Sequence, residues 1–382
     1  MSSGRKILVL SGEASGDRLG GHLVQAIRER LPEAEFDGIG GEAMERAGVR
    51  CIYDSGQIAV TGFVEVLGAW RSIWKAWRTA RAHLRAARPD LVLLVDYPDF
   101  NLRFARVARR AGVPVVYFVS PQVWAWRQHR VRQIARDVDL MLVLFPFETA
   151  FYEEAGVPVE FVGHPLVDLV EPPGEAGAAA EALGLDPAAP VLGLLPGSRR
   201  SEVGMLLPVM LDAAARLAQR HPKLQCVLPL APGLDRAVVD GHLDSAQVAV
   251  QVVEGDFYRA LTACRAAMVA SGTATLETAL LQVPMVITYK LSPWTYRLAR
   301  RLFRLRDVGL PNLILGRREV PECIQDDCVG ERVAAQVAPF LEHGEERRRV
   351  VQALGEVRSL LGRGGAFERA ADAVVRVLPL RS

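Results

Sequence analysis

The sequence predicts an α/β protein made of two doubly wound, Rossmann-like domains that face a cleft. Three observations predict it. Short apolar runs alternate with amphipathic helical patterns in both halves of the chain. A stretch rich in Pro, Gly and Ala interrupts that alternation near the middle. The 382 residues are also too many for one ordinary core and suit two. Buried runs alternating with helices imply parallel sheets covered on both faces, which place ligands at their strand carboxyl ends.

In the first half, the strand candidates are Ile7–Leu10, Glu35–Ile39, Leu91–Val95, Val113–Phe118, Leu140–Leu144 and Val159–Val162, with helical patterns at Leu19–Arg30, Phe104–Ala111 and Phe147–Ala155 between them. The segment beginning Glu171-Pro172-Pro173-Gly174 loses apolar periodicity and reads as a hinge. The pattern then restarts with Val191–Leu195, Gln225–Leu228, Val248–Val253, Ala267–Val269 and Met285–Thr288. The expected boundaries are 1–170 for an N-terminal domain, 171–185 for the hinge, 186–345 for a C-terminal domain, and 346–382 for helices able to pack back on the first.

Composition narrows the function classes. A formal net charge of +2 gives no overall field for nucleic acid, so an anionic partner must be met by local patches. No apolar run approaches the ~18–20 residues of a membrane span, and the run after Lys6 is too short for a signal-peptide core, so a cytoplasmic protein is expected. The five cysteines are odd in number and scattered, as reduced structural thiols are. With no His/Cys/Asp cluster at ligand spacing, neither a metal nor a cofactor is expected.

Four loops carry the chemistry. Ser11-Gly12-Glu13-Ala14-Ser15-Gly16-Asp17 follows the first strand and opens a helix. It lacks dinucleotide-fingerprint spacing, and its acids suit sugar hydroxyls or a transferable proton rather than a pyrophosphate. Glu13 is the functional candidate there, whereas Asp17 fits equally well as an N-cap. In Val95-Asp96-Tyr97-Pro98-Asp99, the proline fixes a turn that projects Asp96 from a strand end, while Asp99 is better placed to cap the next helix. Asp96 is therefore the acid/base candidate. Leu195-Pro196-Gly197-Ser198-Arg199 joins a buried strand to a helix N-terminus; Gly197 and Ser198 permit close backbone approach and Arg199 can fork onto a phosphate. Ser271-Gly272-Thr273-Ala274-Thr275-Leu276-Glu277 repeats the arrangement, with Glu277 one turn along to accept from a ribose diol. Two such loops in one domain describe a nucleoside-diphosphate site without a Walker lysine. His164 beside the hinge reads as structural.

A fifth segment is amphipathic in an unusual way. Leu67, Trp70, Trp74 and Trp77 recur within roughly 80° on a helix at ~100° per residue, preceded by Phe63 and accompanied by Arg71, Lys75, Arg78 and Arg81. Such a stripe fits either a core face or an interfacial helix. Tryptophan in place of Leu or Val, with cations so close, favours membrane or acyl-chain contact. A second basic, aromatic segment covers Trp294–Arg306.

The four loops, together with Gly62-Phe63-Val64-Glu65-Val66-Leu67-Gly68, Ser120-Pro121-Gln122-Val123-Trp124-Ala125-Trp126-Arg127, Phe147-Glu148, Gly163-His164-Pro165 and Leu310-Pro311-Asn312-Leu313, resemble the lipid-A-disaccharide synthase family in order across nearly the whole chain. The resemblance implies an inverting, metal-independent glycosyltransferase of GT-B fold, peripheral to the bacterial inner membrane. The implied reaction transfers 2,3-diacylglucosamine from UDP-2,3-diacylglucosamine to 2,3-diacylglucosamine 1-phosphate, forming the β-1,6-linked disaccharide phosphate and UDP. It implies Asp96 as general base, Glu13 as a second essential polar group, and Gly197, Ser198, Arg199, Ser271, Gly272, Thr273, Glu277 and Asn312 around the nucleotide-sugar. A UDP-N-acetylglucosamine epimerase, a peptidoglycan-type transferase and a non-catalytic sugar-nucleotide binder stand as alternatives. The tryptophan-basic helix and the Trp124/Trp126 block argue against the epimerase, and the two carboxylates argue against a binder.

Overall fold

The computed structural model describes residues 4–58, 66–124, 128–291 and 308–379. The chain divides into two compact units, residues 1–165 with 362–382, and residues 166–361.

The first unit is built on a seven-stranded parallel sheet of order β3-β2-β1-β4-β5-β6-β7. Its strands are β1 Lys6–Ser11, β2 Glu35–Gly40, β3 Arg50–Asp54, β4 Leu91–Val95, β5 Val115–Phe118, β6 Leu140–Val143 and β7 Val159–Phe161. Alternate residues feed two cores, one on each face: Ile7, Val9, Leu91 and Leu93 to one side, Leu8, Leu10, Val92 and Leu94 to the other. The helix Ala366–Val377 completes the first core, with Phe367 stacked on His22 at 5.0 Å and Asp372 paired to Arg30.

The second unit holds a six-stranded sheet of order β10-β9-β8-β11-β12-β13, also parallel. Its strands are β8 Val191–Leu195, β9 Gln225–Pro229, β10 Val250–Val253, β11 Ala266–Ala270, β12 Met285–Tyr289 and β13 Glu322–Ile324. The eleven expected strands all appear, and β3 and β13 are additional. Both lie at sheet edges, and both are short and flanked by polar residues, so neither carries the apolar run that marks a central strand.

The expected boundaries shift in three places. The first unit closes at Pro165. The stretch 171–185, read as a hinge, contains the helix Ala176–Ala182, whose Ala180 is buried. Of the two C-terminal helices only Ala366–Val377 belongs to the first unit; Glu345–Leu360 belongs to the second.

Strand order positions the candidate residues. Connections reverse direction between β1 and β4 in one sheet and between β8 and β11 in the other, opening a crevice at the carboxyl ends of those strands. The four loops singled out by residue chemistry follow β1, β4, β8 and β11. Among the described residues no helix is long and apolar enough to cross a membrane.

Candidate functional site

In the first unit, the crevice between β1 and β4 holds two carboxylates. Asp96 and Tyr97 both adopt left-handed backbone, at φ 49° and 48°, a conformation seldom used outside glycine and characteristic of sites where tertiary contacts hold strain. The restraint comes from Asn101, fully buried, whose Nδ2 donates to the carbonyls of Leu10 (3.2 Å), Val95 (3.1 Å) and Asp96 (2.7 Å), and from the Tyr117 hydroxyl, which donates to the Asp96 carbonyl at 2.6 Å. Backbone bonds thus fix the turn and leave the carboxyl group to the crevice. Burial first, and then the charge of Glu13, push Asp96 up to about 6, while a bond from the Tyr97 N–H partly opposes them. Glu13 is exposed at the N-cap position of the helix Ala14–Arg30, and its side chain makes no cap bond. The Tyr97 ring lies flush on Gly12, where a Cβ would come within 2.1 Å of it. That contact ties the two loops together and explains the glycine.

The other acids of these loops are structural. Asp17 does not cap its own helix. It lies inside it, buried, and accepts N–H bonds from Gly41 (2.6 Å), Ala43 (2.9 Å) and Met44 (3.2 Å), capping the short helix Glu42–Arg46. Asp99 does not cap the helix Pro98–Arg110, whose N-cap position is Tyr97; it sits in the first turn and pairs with Arg130 at 2.8 Å. His164 is buried beside the Phe145 ring, and burial lowers its pKa to about 4, so it is neutral and structural as read.

Sequence reasoning did not single out Glu148 as a site residue. Only 2% exposed, its carboxylate accepts from the Ser120 hydroxyl, from Trp124 Nε1 at 3.1 Å and from the Phe145 N–H at 3.1 Å. Burial drives it up to about 7 against the pull of the hydrogen bonds it accepts. It anchors the segment that follows β5, next to Asp96, where Val119 is held at φ 68° despite its branched side chain. The sequence signal was available: a glutamate three residues into a helix, within reach of its N-cap backbone.

In the second unit the crevice between β8 and β11 presents donors. Gly197 has φ 109°, and Ser198 and Arg199 lead into the helix Arg200–Arg220. Their N–H groups point to Glu202 Oε2, at 3.1 and 3.3 Å, and Arg199 Nη1 lies 2.9 Å from Glu202 Oε1. After β11, Ser271 Oγ donates to the Val308 carbonyl at 3.3 Å. Gly272 (φ 152°) precedes the helix Thr273–Leu280, where Thr273 is exposed and Glu277 accepts from the Tyr258 hydroxyl at 2.9 Å.

Asn312, expected at the nucleotide-sugar, is bonded within its own unit. Its Nδ2 donates to the Val320 carbonyl and Glu322 Oε1, both at 2.8 Å, and its Oδ1 accepts from the Glu319 and Val320 N–H groups at 3.0 and 2.9 Å. Every donor and acceptor of that buried amide is used, so it braces the segment around Val308–Gly309 that Ser271 bonds.

The tryptophan stripe divides. In the helix Val66–Ala87, Trp70 and Trp74 are 58% and 54% exposed, with Arg71 and Arg78 over their rings at 5.9 and 4.6 Å. Trp77 instead packs edge-on against Phe100 and Phe104, at 5.4 and 5.7 Å. The core stripe runs through Ile73, Ala76, Trp77, Ala80 and Leu84, because small alanines let this helix lie close on its sheet; the exposed tryptophans form the ridge beside it. Phe63, the side chain of Leu67, Trp126 and the segment Trp294–Arg306 lie outside the described residues. Among the described residues no three His, Cys, Asp or Glu side chains converge as a metal site.

Comparison with known proteins bears on the family and the fold. A family model described as lipid-A-disaccharide synthetase matches residues 7–374. A lipid-A-disaccharide synthase from Geobacter metallireducens is 46% identical over 374 residues, covering 98% of this chain and 97% of the relative. One from Myxococcus xanthus is 44% identical over 379 residues, 99% of each. At the level of fold alone, the chain is similar to the calicheamicin glycosyltransferase CalG4 (TM-score 0.60, 17% identity, 98% of each chain). It is likewise similar to the UDP-GlcNAc 2-epimerase of Neisseria meningitidis (TM-score 0.61, 13% identity, 98% of this chain and 99% of that one).

Proposed function

The chain belongs to the lipid-A-disaccharide synthase family of glycosyltransferases, and from that premise we propose how its residues divide the work. The donor is UDP-2,3-diacylglucosamine and the acceptor is 2,3-diacylglucosamine 1-phosphate. The acceptor 6-hydroxyl attacks the anomeric carbon as the bond to UDP breaks, giving a β-1,6 linkage with inversion. The hydroxyl proton passes to the Asp96 carboxylate, and the electron pair of the broken bond leaves on the diphosphate.

The observation that carries this reading is Asp96 itself: a partly buried carboxylate on strained backbone, raised to about 6 and so still ionised at neutral pH. A carboxyl group at that value is a stronger base than an ordinary aspartate. Glu13 lifts it by proximity and orients sugar hydroxyls. Negative charge developing on the leaving diphosphate is met in the second unit by the Ser198 and Arg199 N–H groups, the Arg199 guanidinium and the N-terminus of the helix Thr273–Leu280. Gly197 and Gly272 give the backbone approach, and Glu277, steadied by Tyr258, accepts from the ribose diol. Asn312 acts by bracing.

Both substrates are amphiphiles, so the reaction belongs at the cytoplasmic face of the inner membrane. The Trp70 and Trp74 ridge with its arginines has interfacial composition, and changing both to serine is expected to abolish co-sedimentation with anionic vesicles while leaving UDP affinity intact. The direct test of the reaction supplies the two diacylated sugars in EDTA and follows the disaccharide by mass. Wild type makes product, whereas Asp96→Asn binds UDP and falls about 10²–10⁴-fold in turnover. Full turnover by the variant removes the base assignment, and product that needs added divalent metal overturns the metal-free route.

A further inference from the structure

In the second unit, the donors assigned to the nucleotide diphosphate are already engaged by an acid in the first turn of the helix that follows them. Glu202 Oε2 accepts from the N–H groups of both Ser198 and Arg199, and Glu202 Oε1 pairs with Arg199 Nη1. The carboxylate lies against Gly197, where a Cβ would come within 2.4 Å of Oε2. Its side chain is 27% exposed, less than the 63% of Arg199, so its charge is only partly screened. A glutamate three residues into a helix commonly bonds back to the N-cap backbone, and a neutral glutamine does so equally well. The negative charge is therefore surplus to the cap.

We propose that Glu202 is an internal anion that occupies the diphosphate donors and must be displaced before the donor substrate binds. The inference rests on the nucleotide-site reading above. Displacement exchanges one carboxylate for a diphosphate that engages the same two N–H groups and guanidinium together with the helix after β11. A single phosphate, lacking the second set of contacts, competes poorly with a tethered carboxylate. The loop thus rejects the inorganic phosphate and mononucleotides that any anion-binding helix terminus would otherwise collect. Arg199, already held beside the loop by Glu202, has only to change partners when the ligand arrives.

The test compares wild type with Glu202→Gln, which keeps the cap and the volume and removes the charge. Calorimetric titration with UDP, inorganic phosphate and uridine is expected to show about two- to five-fold tighter UDP and phosphate binding in the variant, the span given by coupling to one partly exposed charge. Uridine, which carries no phosphate, is expected to be unchanged. UDP affinity that stays the same or weakens overturns the proposal, as does equal tightening for uridine. A second measurement needs no variant: in wild type, the amide resonances of Ser198 and Arg199 are expected to move on UDP addition as their acceptor changes, and resonances that stay put at saturation overturn it. Wild type that binds no UDP at all counts instead against the nucleotide-site reading itself.

Discussion

The two crevices share a topology and differ in chemistry. In the first, β1 and β4 are followed by the carboxylates Glu13 and Asp96, the second on left-handed backbone, and burial together with the Glu13 charge makes Asp96 harder to ionise. In the second, β8 and β11 end in glycines and N–H donors at helix termini, and the Glu202 carboxylate in the first turn of the helix after β8 fills part of them. The difference teaches that strand order chooses where a ligand sits, whereas the loop residues choose what is done to it. On the proposed function, one crevice takes a proton and the other receives negative charge.

The sharpest way to break this contrast is through pH. A base at about 6 predicts turnover that falls roughly tenfold per unit below that value and levels off above it. Stability runs the opposite way. Because Asp96 is raised from 3.8 in the unfolded chain, its contribution is complete below about 4 and is lost as pH rises through about 6. Asp96→Asn should therefore unfold at higher temperature than wild type at pH 8, by on the order of 2 kcal/mol, while it is inactive. A flat rate profile between pH 5 and 8 would leave the first crevice without its base.

A second comparison uses the glycines. Gly12→Ala drives a Cβ to 2.1 Å from the Tyr97 ring and is expected to cost about 1–3 kcal/mol and to displace Tyr97, lowering turnover. Gly272→Ala meets no atom within 4 Å but forces a side chain onto φ 152°, so backbone strain of about 1–2 kcal/mol is expected, with weaker UDP binding rather than slower chemistry. Thermal unfolding and a comparison of kcat with the donor KM separate the two. Equal kinetic signatures would erase the division of labour.

The smallest expected difference lies between the two buried braces. Glu148→Ala and Asn312→Ala each strand buried donors, at about 1–3 kcal/mol apiece. Only the first should depend on pH. Glu148 is raised from 4.5, so its contribution is present below that value and lost as pH rises through about 7. The gap between wild type and Glu148→Ala should narrow across that window in thermal melts, and the Asn312→Ala gap should stay constant.

How much of this was legible in the chain depends on the range of the cause. Central strands, buried on both faces, announce themselves as apolar runs, so β4 and β8 were found to the residue, while the edge strands β3 and β13 were missed. Loop chemistry was equally local: small residues, acids and an arginine beside strand ends marked all four crevice loops. Partner choice was not. Asp17 is a plausible cap from its neighbours, but the helix it caps begins twenty-five residues later. Trp77 belongs by composition with Trp70 and Trp74, and its packing on the core, against the rings of Phe100 and Phe104, draws it inward.

By itself, then, the amino-acid sequence determined the fold class, the central strands and the kinds of groups at each crevice, because periodicity, turn residues and side-chain chemistry act over a few positions. Tertiary structure alone decided that Asp96 is strained and hard to ionise, that Asn312 has no bond to spare and that Glu148 anchors the Trp124 segment. Burial and hydrogen-bond saturation depend on what distant parts of the chain bring to the same place, and no window of sequence contains both partners.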